Sequence, residues 1–364
     1  MTLKHYLILA VLILIAFWLV YAVQIPLFRK ERRSVRVVCW FVKLAVMTGA
    51  AYLLIAYASP FLWHTGYAFA ALYLALLGDL TADLVSAFLK PEVRKKYRPF
   101  IAGLFTLAVS AYAVVNMQTI VPAYHTYSSK KLSNTYKVIF FSDLHYGSSQ
   151  SEQTVRNALQ KIKEEQPDYL LLGGDIVDEH TTKEEMNSIF RWIGELGVPA
   201  YYIYGNHDRQ DRGSYLGGKN YTEEELNDAI TRSGITILYN DWTQAADDLV
   251  FLGMEDPSRP DKRIKVKDLR PRPDNAFVLC LEHTPYQNDD IAEMNADLQL
   301  SGHTHAGQLF PLRWIYELIG LNTYGEYMID DTRLYVSPGI TGWYLPLRNE
   351  VHCNYEVITL QPEA

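Results

Sequence analysis

The chain has 364 residues, 49% of them hydrophobic and 13% aromatic, with a formal charge of −7. That length supports one large or two modest domains with a sizeable core, and three cysteines without a CxxC pair exclude a disulfide framework. Charge is split unevenly: residues 1–124 hold 12 of the 34 Lys and Arg but 4 of the 41 Asp and Glu, a balance of +8 that leaves −15 for the rest. A basic, apolar front joined to an acidic, polar back describes a membrane unit carrying a water-facing domain. The acidic back argues against nucleic acid as a partner, because phosphate backbones need a basic surface. Cys39, Cys280 and Cys353 are expected as unpaired thiols, with a Cys280–Cys353 bridge as the alternative outside the cytosol.

Four apolar stretches come first: Tyr6–Phe28, Val37–Ser59, Phe61–Gly78 (or on to Leu89) and Phe100–Val121. Each meets or nearly meets the length of about 20 apolar residues that hydrocarbon requires. Together they predict a bundle of four transmembrane α-helices over residues 1–121. Arg29, Lys30, Arg32, Arg33 and Arg36 follow the first stretch, Lys90, Arg94, Lys95, Lys96 and Arg98 precede the fourth, and the loop around Pro60 is uncharged. The positive-inside rule then puts both basic loops in the cytoplasm and both termini outside. The expected location is a multi-pass protein of the cell (inner) membrane with its water-facing domain outside the cytoplasm. Lys43 is expected to snorkel to the cytoplasmic interface. A span ending at Gly78 would leave Asp79 and Asp83 interfacial.

Residues 122–135 are polar and read as a linker. Over 136–364, apolar runs alternate with amphipathic stretches. Tyr136–Ser142, Tyr169–Gly174, Ala200–Tyr204, Leu249–Gly253, Ala276–Leu281, Leu298–Ser301, Leu334–Val336 and Tyr355–Leu360 predict strands. Val155, Leu159 and Ile162 mark one helix face, and Met186, Ile189, Phe190 and Ile193 another. Thr182 with Glu185 and Thr222 with Glu225 are capping boxes, and Gly234 is a helix stop. Strands alternating with helices imply a layered α/β domain.

The residues just past the strand ends carry the chemistry. The first strand runs into Asp143-Leu-His145, the second into Asp175 and Asp178, the third into Gly205-Asn206-His207-Asp208. Two later ones run into Glu282-His283 and Gly302-His303-Thr304-His305. Five strands thus present metal-type ligands at their carboxyl ends, where open α/β sheets place their sites. Asp178 is as well explained by a cap on its own turn.

The order D-x-H, G-D-x-x-D, G-N-H-D, H, G-H-x-H resembles that of the calcineurin-like metallophosphoesterases, over roughly residues 136–362. The resemblance implies two mixed β-sheets packed as a sandwich, flanked by helices, with a di-metal site at the strand ends. By the same resemblance, one metal would take Asp143, His145, Asp175 and His305. The other would take Asp175, Asn206, His283 and His303. His207 is similar to the family's catalytic acid and Asp208 to the carboxylate that orients it. The Asp-Arg-Gly of the protein-phosphatase branch is Asp178-Glu179-His180 here, which removes a substrate arginine and makes phosphoprotein substrates a poor fit. The GHTHAGQ segment with the later LYVSPGI and LPLR looks more like a bacterial branch of membrane-associated or exported phosphoesterases. Two details differ: Ala306 stands where that branch has Gly, and Asn354-Tyr355-Glu356 where it has Pro-Glu.

Carboxylate, imidazole and amide donors without thiolates suit Mn, Fe or Zn over Ca or Mg. Two such dications share a water whose pKa falls toward neutrality and clamp a phosphoryl oxygen. With two carboxylates and a hydroxide they leave about one net positive charge for the transition state. His207 can protonate the leaving oxygen, and no serine or cysteine nucleophile is required. Trp314, Ile315, Tyr316, Leu318, Ile319, Tyr324 and Tyr327 read as core plus lid, or as an apolar rim for a lipid-linked phosphoester. Neither Arg313 nor Arg348 is assigned a role. The expected function is a membrane-anchored phosphoesterase acting on a monoester or diester. One alternative is a lipid-precursor pyrophosphatase similar to the UDP-diacylglucosamine hydrolases, and another is a non-catalytic membrane sensor or scaffold. Oligomeric state is not legible.

Overall fold

Apolar composition carries three long helices through the N-terminal third: α1 (Arg33–Ala56), α2 (Trp63–Ser86) and α3 (Pro91–Gln118). The computed structural model describes residues 15–16, 33–56, 63–148, 150–211, 218–271, 273 and 275–363. Two units divide it: Met1–Asn116 with Leu309–Leu312 and Leu347–Asn349, and Met117–Gln308 with Arg313–Pro346 and Glu350–Ala364.

In the helical unit, Ala68–Ser86 and Lys96–Gln118 are long and apolar enough to cross a membrane. In α1 the apolar stretch among the described residues is Val37–Ala50, and the helix continues to Ala56. The first expected span lies outside the described residues, save a helical Ile15 and Ala16. Among the described residues, two of the four expected spans are thus found at membrane-crossing length. Helix α2 does not stop at Gly78 but runs on to Ser86. Asp79 and Asp83 therefore lie within the helix, as their neutralisation explains. Lys43 donates to Asp79 at 2.7 Å and to Asp83 at 2.9 Å, and Arg98 reaches each at 2.8 Å. Arg94 lies 3.9 Å from Asp83 as well, so three cations face the two carboxylates, and paired charges can persist away from water.

In the α/β unit the strands are β1 (Ile120–Ser129), β2 (Tyr136–Phe141), β3 (Tyr169–Leu172), β4 (Ala200–Tyr202), β5 (Ile235–Ile237) and β6 (Asp241–Ala246). They continue with β7 (Leu249–Gly253), β8 (Phe277–Leu281), β9 (Leu298–Ser301), β10 (Gly325–Ile329), β11 (Thr332–Val336) and β12 (Cys353–Pro362). Two six-stranded sheets result, in the orders β1-β12-β2-β3-β4-β5 and β10-β11-β9-β8-β7-β6. Both are mixed: β12 runs antiparallel to β2, while β2 to β5 are parallel, and β7, β8, β9 and β11 are parallel between antiparallel edges. Val138, Phe140 and Leu171 of one sheet share a buried cluster with Phe251, Leu279 and Leu300 of the other, so the sheets pack as a sandwich.

The helices α4 (Glu152–Glu164), α5 (Lys183–Gly194) and α6 (Glu223–Arg232) cover the first sheet, burying the expected faces Val155-Leu159-Ile162 and Met186-Ile189-Phe190-Ile193 in one cluster. Both capping boxes form. Gly234 takes φ +76° just past α6, as a helix stop requires. Much of the expected linker is instead β1, paired in parallel with β12 from Ile120↔Cys353 to Ser129↔Pro362. An edge strand buries little of itself, so its Ser, Thr and His content hid the alternation. Cys39, Cys280 and Cys353 form no disulfide.

Candidate metal centre

Each parallel strand ends in a sharp turn, and the turns converge. Among the expected ligands, Asp143 (φ 58°), His145 (45°), Asp175 (52°), His303 (71°) and His305 (50°) all sit in the left-handed region. Side chains other than Gly rarely adopt it, and where they do, strain of order 1–3 kcal/mol is held by surrounding structure at functional sites. Gly205 and Gly302 allow the turns to close: a Cβ on the first would strike the Asp175 carboxylate, and one on the second the Asp143 carboxylate.

Two donor sets result. Asp143, His145 and His305 offer ligand atoms all within 4.8 Å of one another, and so do Asp175, His283 and His303. Between the sets, His283 Nε2 lies 3.0 Å from Asp175 Oδ2 and 3.9 Å from Asp143 Oδ1. His145 Nε2 is 3.8 Å from the same Asp175 oxygen, so that carboxylate faces both sets. His303 Nδ1 donates to Asn206 Oδ1 at 2.8 Å, bringing the amide to the second set. Asp178 is also at the site, 3.4 Å from His145 Nδ1, while its other oxygen caps the His180 amide at 2.8 Å.

The electrostatics fit a cation. Burial alone would raise the Asp143 carboxyl, but the imidazoles of His305 and His283 outweigh it and hold the group below its ordinary value. Burial opposes Asp175 likewise, and His283 and His207 hold it well below. Burial and the neighbouring His283 push His303 down to about 4, keeping its ring neutral as a ligand must be. His283 donates Nδ1–H to the Gly173 carbonyl at 2.8 Å, which turns Nε2 toward the carboxylates. His145 Nε2 is buried with no hydrogen-bond partner. A buried, orphaned imidazole nitrogen beside two carboxylates is what a divalent ion would satisfy, so the donor sets fit the expected metals.

His207 stands at the edge of these sets, its ring 5.4 Å from that of His145. The Asp208 carboxylate faces backbone amides. Its Oδ2 accepts the amides of Asp175 (2.8 Å) and Gly205 (2.6 Å), and its Oδ1 those of Ile176 (2.9 Å) and Val177 (3.2 Å). Asp208 thereby fixes the turn that carries Asp175. Glu179 Oε2 lies 2.7 Å from His207 Nδ1.

Other residues at the site escaped the sequence. Trp343 lies with its ring 5.0 Å from that of His207, and Tyr286 with its ring 5.8 Å from that of His303. Neither has a motif spacing to mark it. Asp256 did have a signal, because it comes after β7 as the ligands come after their strands. It accepts from the Thr284 hydroxyl at 2.6 Å, and against the upward effect of burial the charges of His283 and His303 hold its carboxyl low.

The sandwich thus gathers carboxylates and imidazoles from its strand ends into two adjacent donor sets. Residues 136–307 match the model of the calcineurin-like phosphoesterase family. It is 30% identical over 226 residues to an uncharacterized metallophosphoesterase of Helicobacter pylori, covering 60% of this chain and 58% of that one. It is 29% identical over 217 residues to the phosphodiesterase YaeI of Escherichia coli, covering 54% of this chain and 74% of that one. A zebrafish (Danio rerio) transmembrane protein with metallophosphoesterase domain is 26% identical over 235 residues, covering 59% of this chain and 51% of that one. The chain thus spans under two thirds of the Helicobacter protein's length.

Proposed function

We propose that the chain is a membrane-anchored, two-metal phosphoesterase, with residues 1–121 as anchor and 136–364 as catalytic domain. The observation that carries this reading is the pair of donor sets meeting at Asp175, with His207 beside them. Asp143, His145 and His305 would hold one divalent ion, and Asn206, His283 and His303 the other, with Asp175 shared. When bound, such a pair supplies Lewis-acid stabilisation of phosphoryl charge and lowers the pKa of water.

The chain's own residues do the rest. Glu179 accepts Nδ1–H of His207, which fixes the tautomer and leaves Nε2 as the atom that passes a proton to the leaving oxygen. Asp208 and Gly205 keep the Asp175 turn in place. The two apolar stretches and the transmembrane relatives support the anchor, and the basic loops support an extracytoplasmic catalytic domain.

Exposure of Trp314 (61%), Leu318 (85%) and Ile319 (66%) favours a second reading of the substrate, a lipid-linked ester or pyrophosphate. The purified protein, loaded with Mn²⁺, is to be screened against soluble monoesters, diesters, nucleotides and phospholipids. Turnover that disappears on chelation supports the proposal. Two bound metals with no turnover of any phosphoester would return the chain to a sensor or scaffold role.

A further inference from the structure

We propose that the site selects phosphodiesters over phosphomonoesters and that Glu179 is the residue that sets this selectivity. The inference rests on the phosphoesterase reading above and concerns its substrate class.

The first argument is charge. A diester carries one negative charge, whereas a phosphoryl monoester near pH 7 carries about −1.5 to −2. A monoester site therefore benefits from a protein cation, yet the arginines around this site are already neutralised. Arg209 forms a fork on Glu255 at 2.8 and 2.7 Å and meets Glu223 at 3.0 Å. Arg263 is held by Glu282 at 3.0 Å and Asp290 at 2.9 Å. Arg259 pairs with Asp211 and Glu223. In their place beside His207 stands a carboxylate. Glu179 is 6% exposed, and its Oε1 is buried with no hydrogen-bond partner among the described residues. Its other oxygen lies 2.7 Å from His207 Nδ1, so a carboxylate stands where an arginine would bring positive charge. Each further negative charge on the phosphoryl group meets this carboxylate across little water.

The second argument is shape. A diester has two organic arms, and two half-buried rings flank the donor sets: Trp343 on the His207 side and Tyr286 on the His303 side. Trp343 is held in place by Gln308, whose Oε1 accepts its amide at 2.9 Å while its Nε2 donates to its carbonyl at 3.2 Å. In the reaction the bond from phosphorus to the leaving oxygen breaks, and a bond from phosphorus to a water oxygen forms. His207 gives its proton to the leaving oxygen, and both protons of the water pass to solvent. The product is an alcohol and a monoester dianion, which Glu179 disfavours, so hydrolysis stops after one step.

The test uses the full-length protein in detergent with Mn²⁺, comparing bis(p-nitrophenyl) phosphate with p-nitrophenyl phosphate, which share a leaving group. The wild type should favour the diester by about tenfold or more in kcat/KM, and Glu179→Gln should shift the ratio toward the monoester by a similar factor, the scale of one charge acting through partly screened protein. Glu179→Asp, which keeps the charge, should retain the diester preference. A second readout is binding by calorimetry: Glu179→Gln should tighten phenyl phosphate and leave dimethyl phosphate unchanged. A wild-type preference for the monoester, or a Glu179→Gln change that lowers both substrates equally, overturns the selectivity while leaving the phosphoesterase reading intact. Absence of turnover with both substrates counts against the phosphoesterase reading, and the calorimetric comparison then decides the charge argument by itself.

Discussion

His207 and Glu179, 28 residues apart in sequence, form a buried pair in which Nδ1 of the imidazole lies 2.7 Å from the carboxylate. The pair couples the turn after β3 to the turn after β4. It also separates two tasks that adjacent residues suggested were joined: Asp208 accepts the loop's backbone amides, and Glu179 contacts the His207 imidazole.

If His207 transfers a proton, His207→Ala should leave about two metals per chain and lower turnover by roughly 10²- to 10⁴-fold. The loss should be smaller for a nitrophenyl ester, whose leaving group needs little protonation. Equal losses for good and poor leaving groups would indicate charge stabilisation instead. Metal content by elemental analysis decides whether His207 is itself a ligand.

Asp175 faces both donor sets, so Asp175→Asn should weaken both metals together, whereas Asp143→Asn should chiefly weaken one. Chelation should abolish phosphoesterase activity, and Mn²⁺ or another transition dication should restore it. Two tightly held metals and full turnover in Asp175→Asn would falsify the shared-ligand assignment.

Asp248 ties the turn before β2 to the β6–β7 hairpin, accepting the amides of Ser133 at 2.5 Å and Asn134 at 3.3 Å as well as the Tyr136 hydroxyl. Burial would raise its carboxyl, but the Tyr136 hydroxyl and these amides hold it below its ordinary value of 3.8. A group depressed in the fold stabilises it above the unfolded pKa, and this contribution is lost as pH falls through the folded value. Asp248→Asn should therefore lower the melting temperature near neutral pH and narrow its gap to wild type below about pH 4. A gap independent of pH would show that the stabilisation does not depend on the charge.

Membrane orientation decides which substrates the site can meet. Ten Lys and Arg flank an uncharged loop in the N-terminal third, and short-loop bias of this kind sets topology. A reporter fused after Ala364 should behave as extracytoplasmic. Activity confined to the cytoplasm would reverse the orientation and favour the lipid-precursor reading. The turn at Lys130–Lys131, expected in a linker, is anchored by a Lys131–Asp297 ion pair at 2.9 Å and by β1 beside it, so external protease should cut there poorly.

The inner parallel strands β2, β3, β4, β7, β8, β9 and β11 were legible because buried strands are continuous apolar runs, and the ligands showed where Asp, Asn and His interrupt such runs abruptly. Helix faces and caps were equally local, fixed by 3.6-residue spacing and by Thr–Glu pairs three apart. The edge strands β1, β6 and β10 were hidden, since half of each faces outward and their pairing is decided by a distant neighbour. Span limits failed at Asp79 and Asp83 for a related reason: a carboxylate ends an apolar run in sequence, whereas Lys43 and Arg98 neutralise it within the helix. The residue types of the centre were therefore set by sequence, but the partner of His207 was set by tertiary structure. Sequence distance favoured Asp208, yet the turn geometry aims that carboxylate at backbone amides and leaves the imidazole to Glu179.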